Sequence, residues 1–181
     1  MKRVVAVLHC FLLSFAIAFA TPPTSPYAGQ ESRGIKALSQ DEVDGYLAGK
    51  GMGFAKAAEL NGFPGPAHVL ALAKELHLSP VQRTATEALF AEMSEKARGL
   101  GQALVAKESE LDQLFASKTI TSTQLESELR AIGALHAQIR GAHLQAHLAQ
   151  TAILTPEQLT NYVKLRGYAA TVEQPAHEHH H

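Results

Sequence analysis

The sequence predicts an all-α protein built around one long antiparallel helical hairpin with short flanking helices. No segment shows the alternating Val, Ile, Thr and Tyr pattern of strands. Two long segments instead carry apolar residues at steps of three and four, the spacing of an amphipathic helix. Two near-identical helix-start motifs also bracket about seventy residues of the chain, one before each of two predicted helices.

The two motifs share the pattern Leu, Ser or Thr, Pro, any residue, Gln. The hydroxyl of Ser or Thr suits an N-cap, and Pro suits the first helical position because it has no amide hydrogen. Gln three residues after the cap can reach back to the amide of the cap residue and close a capping box. The residues that carry this pattern are Leu78, Ser79, Pro80 and Gln82, then Leu154, Thr155, Pro156, Glu157 and Gln158.

The first motif opens a helix predicted over 80–116, which is about 55 Å long at ~1.5 Å per residue. A turn over 117–120 and a capping box from Thr121 start the return helix, which is expected to end near residue 152. A last helix is expected over 156–166. The apolar stripe predicted for the first long helix is Phe90, Met93, Ala97, Leu100, Leu104, Leu111 and Leu114. The stripe predicted for the return helix is Leu125, Leu129, Ile132, His136, Ile139, His143 and Ala146.

Residues 21–65 are expected to form a leader with short helices and a glycine-rich joint. A capping box at Ser39 predicts a short helix that ends near Gly49. The glycines of 49–53 do not form a phosphate-binding loop, because no strand precedes them and no Lys-Ser or Lys-Thr pair follows. Pro66 then opens a helix that is expected to run through Leu76.

Residues 1–20 have the parts of a secretory signal peptide. Lys2 and Arg3 form a positive start, 4–20 is an apolar run, and the small residues Ala18 and Ala20 place the predicted cleavage after Ala20. The predicted location is the periplasm. A retained membrane anchor is the alternative, although the run is short for a span of about 20 residues.

Composition excludes several classes of function. The one cysteine lies within the signal, so we expect no disulfide and no thiol chemistry in the mature protein. Loss of Lys2 and Arg3 changes Lys+Arg from 16 to 14 against 17 Asp+Glu, a net charge of −3. That balance argues against a nucleic-acid partner. The chain carries neither Gly-x-Ser-x-Gly nor His-Glu-x-x-His, so it is not expected to be an enzyme, and no catalytic residue is assigned.

Histidines are the candidate metal ligands. His143 and His147 are four residues apart and share a helix face, where they could hold one Zn²⁺, Cu²⁺, Ni²⁺ or Co²⁺ ion. His136 lies two turns earlier, and His68 and His77 precede the first motif. The alternative is structural, with His136 and His143 at a seam between helices and His147 in solvent. In either arrangement, imidazoles on the seam should make the packing of a dimer sensitive to pH between about 5 and 7, because protonation would place charge beside apolar surface.

The tail over 169–181 is expected to be disordered and rich in imidazole. Such tails capture divalent metals weakly and seldom form a defined site. The tail histidines are His177, His179, His180 and His181.

An exported, cysteine-poor, all-helical chain with these two motifs resembles the Spy/CpxP family of periplasmic chaperones and stress regulators. Zinc-resistance-associated proteins and CnrX-type periplasmic heavy-metal sensors are similar. The resemblance covers about residues 66–168. It implies a hooked helical hairpin that forms a homodimer shaped as a thin curved cradle. For the sensor branch, it implies metal ligands on the return helix and in the segment before the first motif.

The function expected from the resemblance is that of an ATP-independent chaperone or envelope-stress protein. Its partners would be unfolded or misfolded client proteins and an envelope sensor, and it would need no cofactor. The alternative is a periplasmic protein that binds or senses a heavy metal such as zinc, copper, nickel or cobalt.

Overall fold

The computed structural model describes residues 24–168, and this part of the chain is helical without a strand, as the sequence predicts. The chain divides into two units, of which the first ends at Glu31. The described part of that unit consists of hydrogen-bonded turns, such as the one that Ala28 N closes by donating to Ser25 O (3.0 Å). The signal peptide and the histidine tail lie outside the described residues. The helices are α1 Gln40–Leu47, α2 Lys56–Glu59, α3 Pro66–Ala71, α4 Pro80–Ala116, α5 Ser122–Ile153 and α6 Pro156–Leu165.

The two long helices α4 and α5 run antiparallel. Near the turn, Lys107 Nζ on α4 lies 3.1 Å from Glu128 Oε2 on α5. At the other end, Gln82 Nε2 donates to the carbonyl oxygen of Ile153 (3.0 Å). Both helices begin with a complete capping box, so the bounds predicted from capping residues agree with the structure to within about one residue.

The two helix-start motifs contact each other directly. Gln82 Nε2 donates to Gln158 Oε1 (2.7 Å), and Gln158 Nε2 donates to Gln82 Oε1 (3.1 Å). Each amide oxygen also accepts from the backbone N–H of its own N-cap, Ser79 or Thr155 (3.0 and 2.9 Å). Gln158 Nε2 donates in addition to the carbonyl oxygen of Leu76 (3.0 Å). The near-copies in the sequence are therefore two halves of one hydrogen-bonded joint between the starts of α4 and α6.

The segment before the hairpin packs against the long helices. Tyr46 of α1 joins a buried cluster with Leu104 of α4 and Ile132 and Ile139 of α5. The close approach depends on Gly101, because a Cβ at that position would collide with the carbonyl oxygen of Tyr46. Residues 49–65 include the short helix α2, which also packs on the hairpin, where it contacts α5.

A second buried cluster fixes the last helix. Tyr162 of α6 and Val69 of α3 are fully buried, and they pack with Leu76 and Leu154. This cluster lies beside the motif joint and holds α6 on the segment that precedes α4. Within residues 24–168, no helix combines the length and apolar character that a membrane crossing requires.

The structure corrects three sequence-based expectations. Helix α3 ends at Ala71 instead of continuing through Leu76, and the chain reaches α4 through turns in which His77 has a φ of +49°. Leu129 was predicted to face the core but is 52 % exposed. The other end of α5 buries polar residues that the apolar pattern did not include, with Gln150 fully buried and its Nε2 donating to Thr86 Oγ1 (3.2 Å).

Candidate functional site

A cavity of about 480 Å³ lies where the segment before the hairpin meets α4 and α5. Two of the candidate histidines on α5, His143 and His147, line it together with His68 on α3. The cavity is also lined by Glu59, the last residue of α2. The structure therefore brings together three of the five histidines proposed from the sequence and adds a carboxylate.

The rings of His143 and His147 are both buried, with residue exposures of 4 % and 7 %. The structural alternative placed His147 in solvent, and the burial of His147 shows that this expectation was wrong. His147 Nδ1 lies 2.8 Å from the carbonyl oxygen of Phe63, which can only accept, so Nδ1 carries the hydrogen. In the neutral ring, the lone pair is then on Nε2. A backbone carbonyl on one ring nitrogen is a common way in which proteins orient a metal-binding histidine.

His143 is held as a neutral ring. Burial lowers its pKa, and the neighbouring charge of His147 lowers it further. The ring stacks on Phe54 with centroids 6.2 Å apart and an interplanar angle of 11°. Its Nε2 is buried and makes no hydrogen bond. Such an unpaired buried nitrogen is costly unless a ligand or an ion satisfies it.

Glu59 is a buried carboxylate whose two oxygens have different surroundings. Oε1 accepts from Tyr162 Oη (2.7 Å), from Arg166 Nε (3.0 Å) and from Tyr168 Oη (3.1 Å). Oε2 is buried and makes no hydrogen bond. Burial by itself raises the pKa of Glu59, but the hydrogen bond from Tyr162, the charge of His68, the hydrogen bond from Tyr168 and the charge of Arg166 together lower it. The group is therefore an anion at neutral pH.

At Gly65 the backbone packs closely against the ring of His147. A methyl group at this position would lie 2.8 Å from His147 Nε2, which is too close, and 3.7 Å from Glu59 Oε2. Glycine therefore allows the backbone to approach the imidazole beside Glu59. The wall of the cavity is largely apolar, with Phe90 and Met93 of α4 among its residues.

The remaining candidate histidines lie elsewhere. His136 is separated from His143 by the ring of Phe54, whose centroid is 6.5 Å from that of His136 and 6.2 Å from that of His143. His136 also meets the ring of Tyr46 edge-on at 5.9 Å. His77 is exposed at the turn before α4 and does not line the cavity. The four tail histidines lie outside the described residues.

The buried polar side chains of the cavity, Glu59, His143 and His147, offer hydrogen-bond acceptors or lone pairs. Nitrogen and carboxylate donors together suit a divalent transition-metal ion. The polar lining also includes His68, Ser94 and two exposed lysines, Lys50 and Lys56. Within residues 24–168, no group of three or more His, Cys, Asp or Glu side chains is arranged as a ready-made metal site. Side chains would have to turn toward an ion for three of them to bind it.

Sequence reasoning missed Glu59. It lies on a four-residue helix within a segment that shows neither helical periodicity nor a metal-binding spacing. The one available signal was that Glu59 is an acidic residue just before the turn at Asn61-Gly62, in the same part of the chain as His68. No family model, curated protein or solved structure matches the chain.

Proposed function

We propose that this chain is an exported metal-binding protein of the Spy/CpxP type. Its ligand would be a divalent transition-metal ion, and zinc, copper, nickel and cobalt suit the donors. Support comes chiefly from the cavity, where Nε2 of His143 and Oε2 of Glu59 are buried without a hydrogen-bond partner. Leaving an ionised oxygen and a ring nitrogen unpaired costs folding free energy, and a bound cation would recover it.

The arrangement of His147 adds to this support. Its Nδ1 is engaged by the carbonyl oxygen of Phe63, which leaves Nε2 for a ligand, and the side chain lines the cavity. His143, His147 and Glu59 together provide two nitrogens and one oxygen. Binding is expected to include rotation of the histidine side chains toward the carboxylate of Glu59, because the three groups are not yet converged on one point.

The test is calorimetric titration of Zn²⁺, Cu²⁺, Ni²⁺ and Co²⁺ into the purified protein. To remove weak background, His177, His179, His180 and His181 are replaced with alanine in every sample. One ion per chain is expected, and a His143→Ala/His147→Ala double variant should lose it. Glu59→Gln should weaken binding. His77→Asn is the matched control, since it removes a candidate imidazole that lies away from the cavity and should leave binding unchanged.

The proposal fails if none of the four ions binds, or if the double variant binds as tightly as the parent. Loss of binding in His77→Asn would also contradict it, because the ion would then be held elsewhere.

A chaperone function is the second candidate. It is favoured by large apolar side chains that lie exposed on the long helices: Val81 (78 %), Leu148 (59 %), Phe115 (53 %) and Leu129 (52 %). Exposed side chains of this kind suit contact with unfolded clients or with a second copy of the chain. The dimeric cradle and the envelope sensor partner implied by the resemblance belong to this proposal. Suppression of aggregation of an unfolded client in the presence of a chelator, without ATP, would support it, and sedimentation analysis would test the dimer.

A further inference from the structure

The hydrogen bonds that Glu59 accepts all go to one of its two oxygens. Tyr162, Arg166 and Tyr168 donate to Oε1, and His68 Nδ1 is 3.3 Å from the same atom. Oε2 makes no hydrogen bond, although His147 Nδ1 is 3.8 Å away. The carboxylate is held by Oε1, with Oε2 left unpaired.

The three donors lie on α6 or directly after it, next to the second buried cluster. Tyr162 is fully buried in the cluster with Leu76 and Leu154, and its hydroxyl makes the shortest of the bonds to Glu59. Arg166 and Tyr168 follow at the end of α6, and the guanidinium of Arg166 lies 5.5 Å from the centre of the Tyr168 ring. These three side chains lie outside the cavity lining.

We infer that Tyr162, assisted by Arg166 and Tyr168, is a positioning residue that fixes the carboxylate of Glu59 so that Oε2 is presented to a bound cation. The inference rests on the proposed function. A carboxylate turns readily about its last torsion, and a rigid donor on one oxygen removes that freedom before the ion arrives. Partners of this kind, one shell away from a metal, contribute about 10- to 100-fold in affinity.

The test compares Tyr162→Phe with Tyr46→Phe in the full protein. Both substitutions remove one hydroxyl from a buried tyrosine and keep the ring, but Tyr46 belongs to the other core cluster and does not contact Glu59. Co²⁺ is the probe, because its visible absorption reports the number and geometry of its ligands. We expect Tyr162→Phe to bind Co²⁺ about 10- to 100-fold more weakly and with an altered spectrum. Tyr46→Phe should match the parent in both readouts.

The other outcomes separate a failure of the proposed function from a failure of the positioning role. Absence of Co²⁺ binding by the parent would overturn the proposed function itself. Binding by the parent with the same affinity and spectrum in Tyr162→Phe would overturn the positioning role and leave the function standing. Equal weakening by Tyr46→Phe would also overturn it, because the effect would then be general loosening of the core. If Tyr162→Phe does not fold, Tyr168→Phe removes another donor from Oε1 and is judged by the same two readouts.

Discussion

At the scale of single residues, two glycines of α4 have opposite roles despite lying two positions apart. A Cβ at Gly101 would collide with the carbonyl oxygen of Tyr46, whereas a Cβ at Gly99 would meet nothing within 4 Å. Glycine in a helix interior costs about 1 kcal/mol relative to alanine. At Gly101 this cost is offset by the packing of α1, because the helix can approach α4 closely only where no side chain intervenes. At Gly99 no contact offsets it.

Alanine at these two positions should therefore act in opposite directions. Gly101→Ala is expected to lower the free energy of unfolding by about 1–3 kcal/mol, the usual cost of overpacking. Gly99→Ala is expected to raise it by up to about 1 kcal/mol through helix propensity. Urea denaturation of both variants measures the difference. Equal effects at the two positions would show that α1 does not depend on Gly101.

At the scale of helices, three capping boxes of the same chemical type differ in their surroundings. Gln124 bonds the N-cap Thr121 at an exposed helix start, and the hydrogen bonds of its side chain stay within that cap. Gln82 and Gln158 also cap their helices, but each is bonded to the other and to a backbone carbonyl oxygen across the joint. The same sequence signal thus gives a local cap in one place and a tertiary connection in two others.

Alanine substitution should separate the local cap from the connection. Gln124→Ala is expected to cost less than about 1 kcal/mol, because its partners remain open to water. Gln82→Ala is expected to cost more, at about 2–3 kcal/mol, since it leaves half-buried partners unpaired. A double-mutant cycle between Gln82→Ala and Gln158→Ala should give a coupling energy of about 1–3 kcal/mol by denaturation. Strict additivity of the two losses would refute the joint.

The contrast explains how far the sequence predicts this fold. Capping residues act within one turn of chain, so Ser79, Thr121 and Thr155 fixed the starts of the long and last helices correctly. Burial depends on which elements meet, and α1 and α2 meet the hairpin through short segments without periodicity. Neither the exposure of Leu129 nor the burial of Gln150, whose hydrogen-bond partner is Thr86 on the other long helix, follows from the apolar pattern of α5 alone. His143 and His147 were found by their spacing on one helix, whereas Glu59 joins them only through tertiary packing.

At the scale of the whole molecule, the candidate site makes folding depend on pH. Two groups at the cavity change their titration on folding. Burial lowers the pKa of His143 from its ordinary 6.5. The donors and charges around Glu59 lower the pKa of that carboxyl from 4.5 despite its burial. In both cases the unfolded chain binds a proton more tightly than the folded protein does. Stability must then fall as the pH falls.

The two groups act in separate windows. His143 costs no stability well above pH 6.5, and its contribution becomes unfavourable as the pH falls below that value, until the folded protein also takes up the proton. Glu59 stabilises the fold above pH 4.5, and that contribution is lost as the pH falls through its lower folded pKa. The pH dependence that the sequence predicted for a seam between protomers thus has a source within one chain, while its effect on a dimer stays a prediction.

Denaturation of the metal-free protein between pH 7.5 and 3.5, with a chelator present, tests this assignment at about half-unit steps. The parent should lose stability in both windows. His143→Gln should flatten the upper window and keep the lower one, because glutamine fills similar space without taking up a proton. Glu59→Gln should keep the loss of stability in the upper window and flatten the loss in the lower one. If the free energy of unfolding of His143→Gln falls below pH 6.5 with the same slope as that of the parent, burial does not hold the His143 ring neutral. That result would also remove one reason to regard the ring nitrogen as a metal ligand.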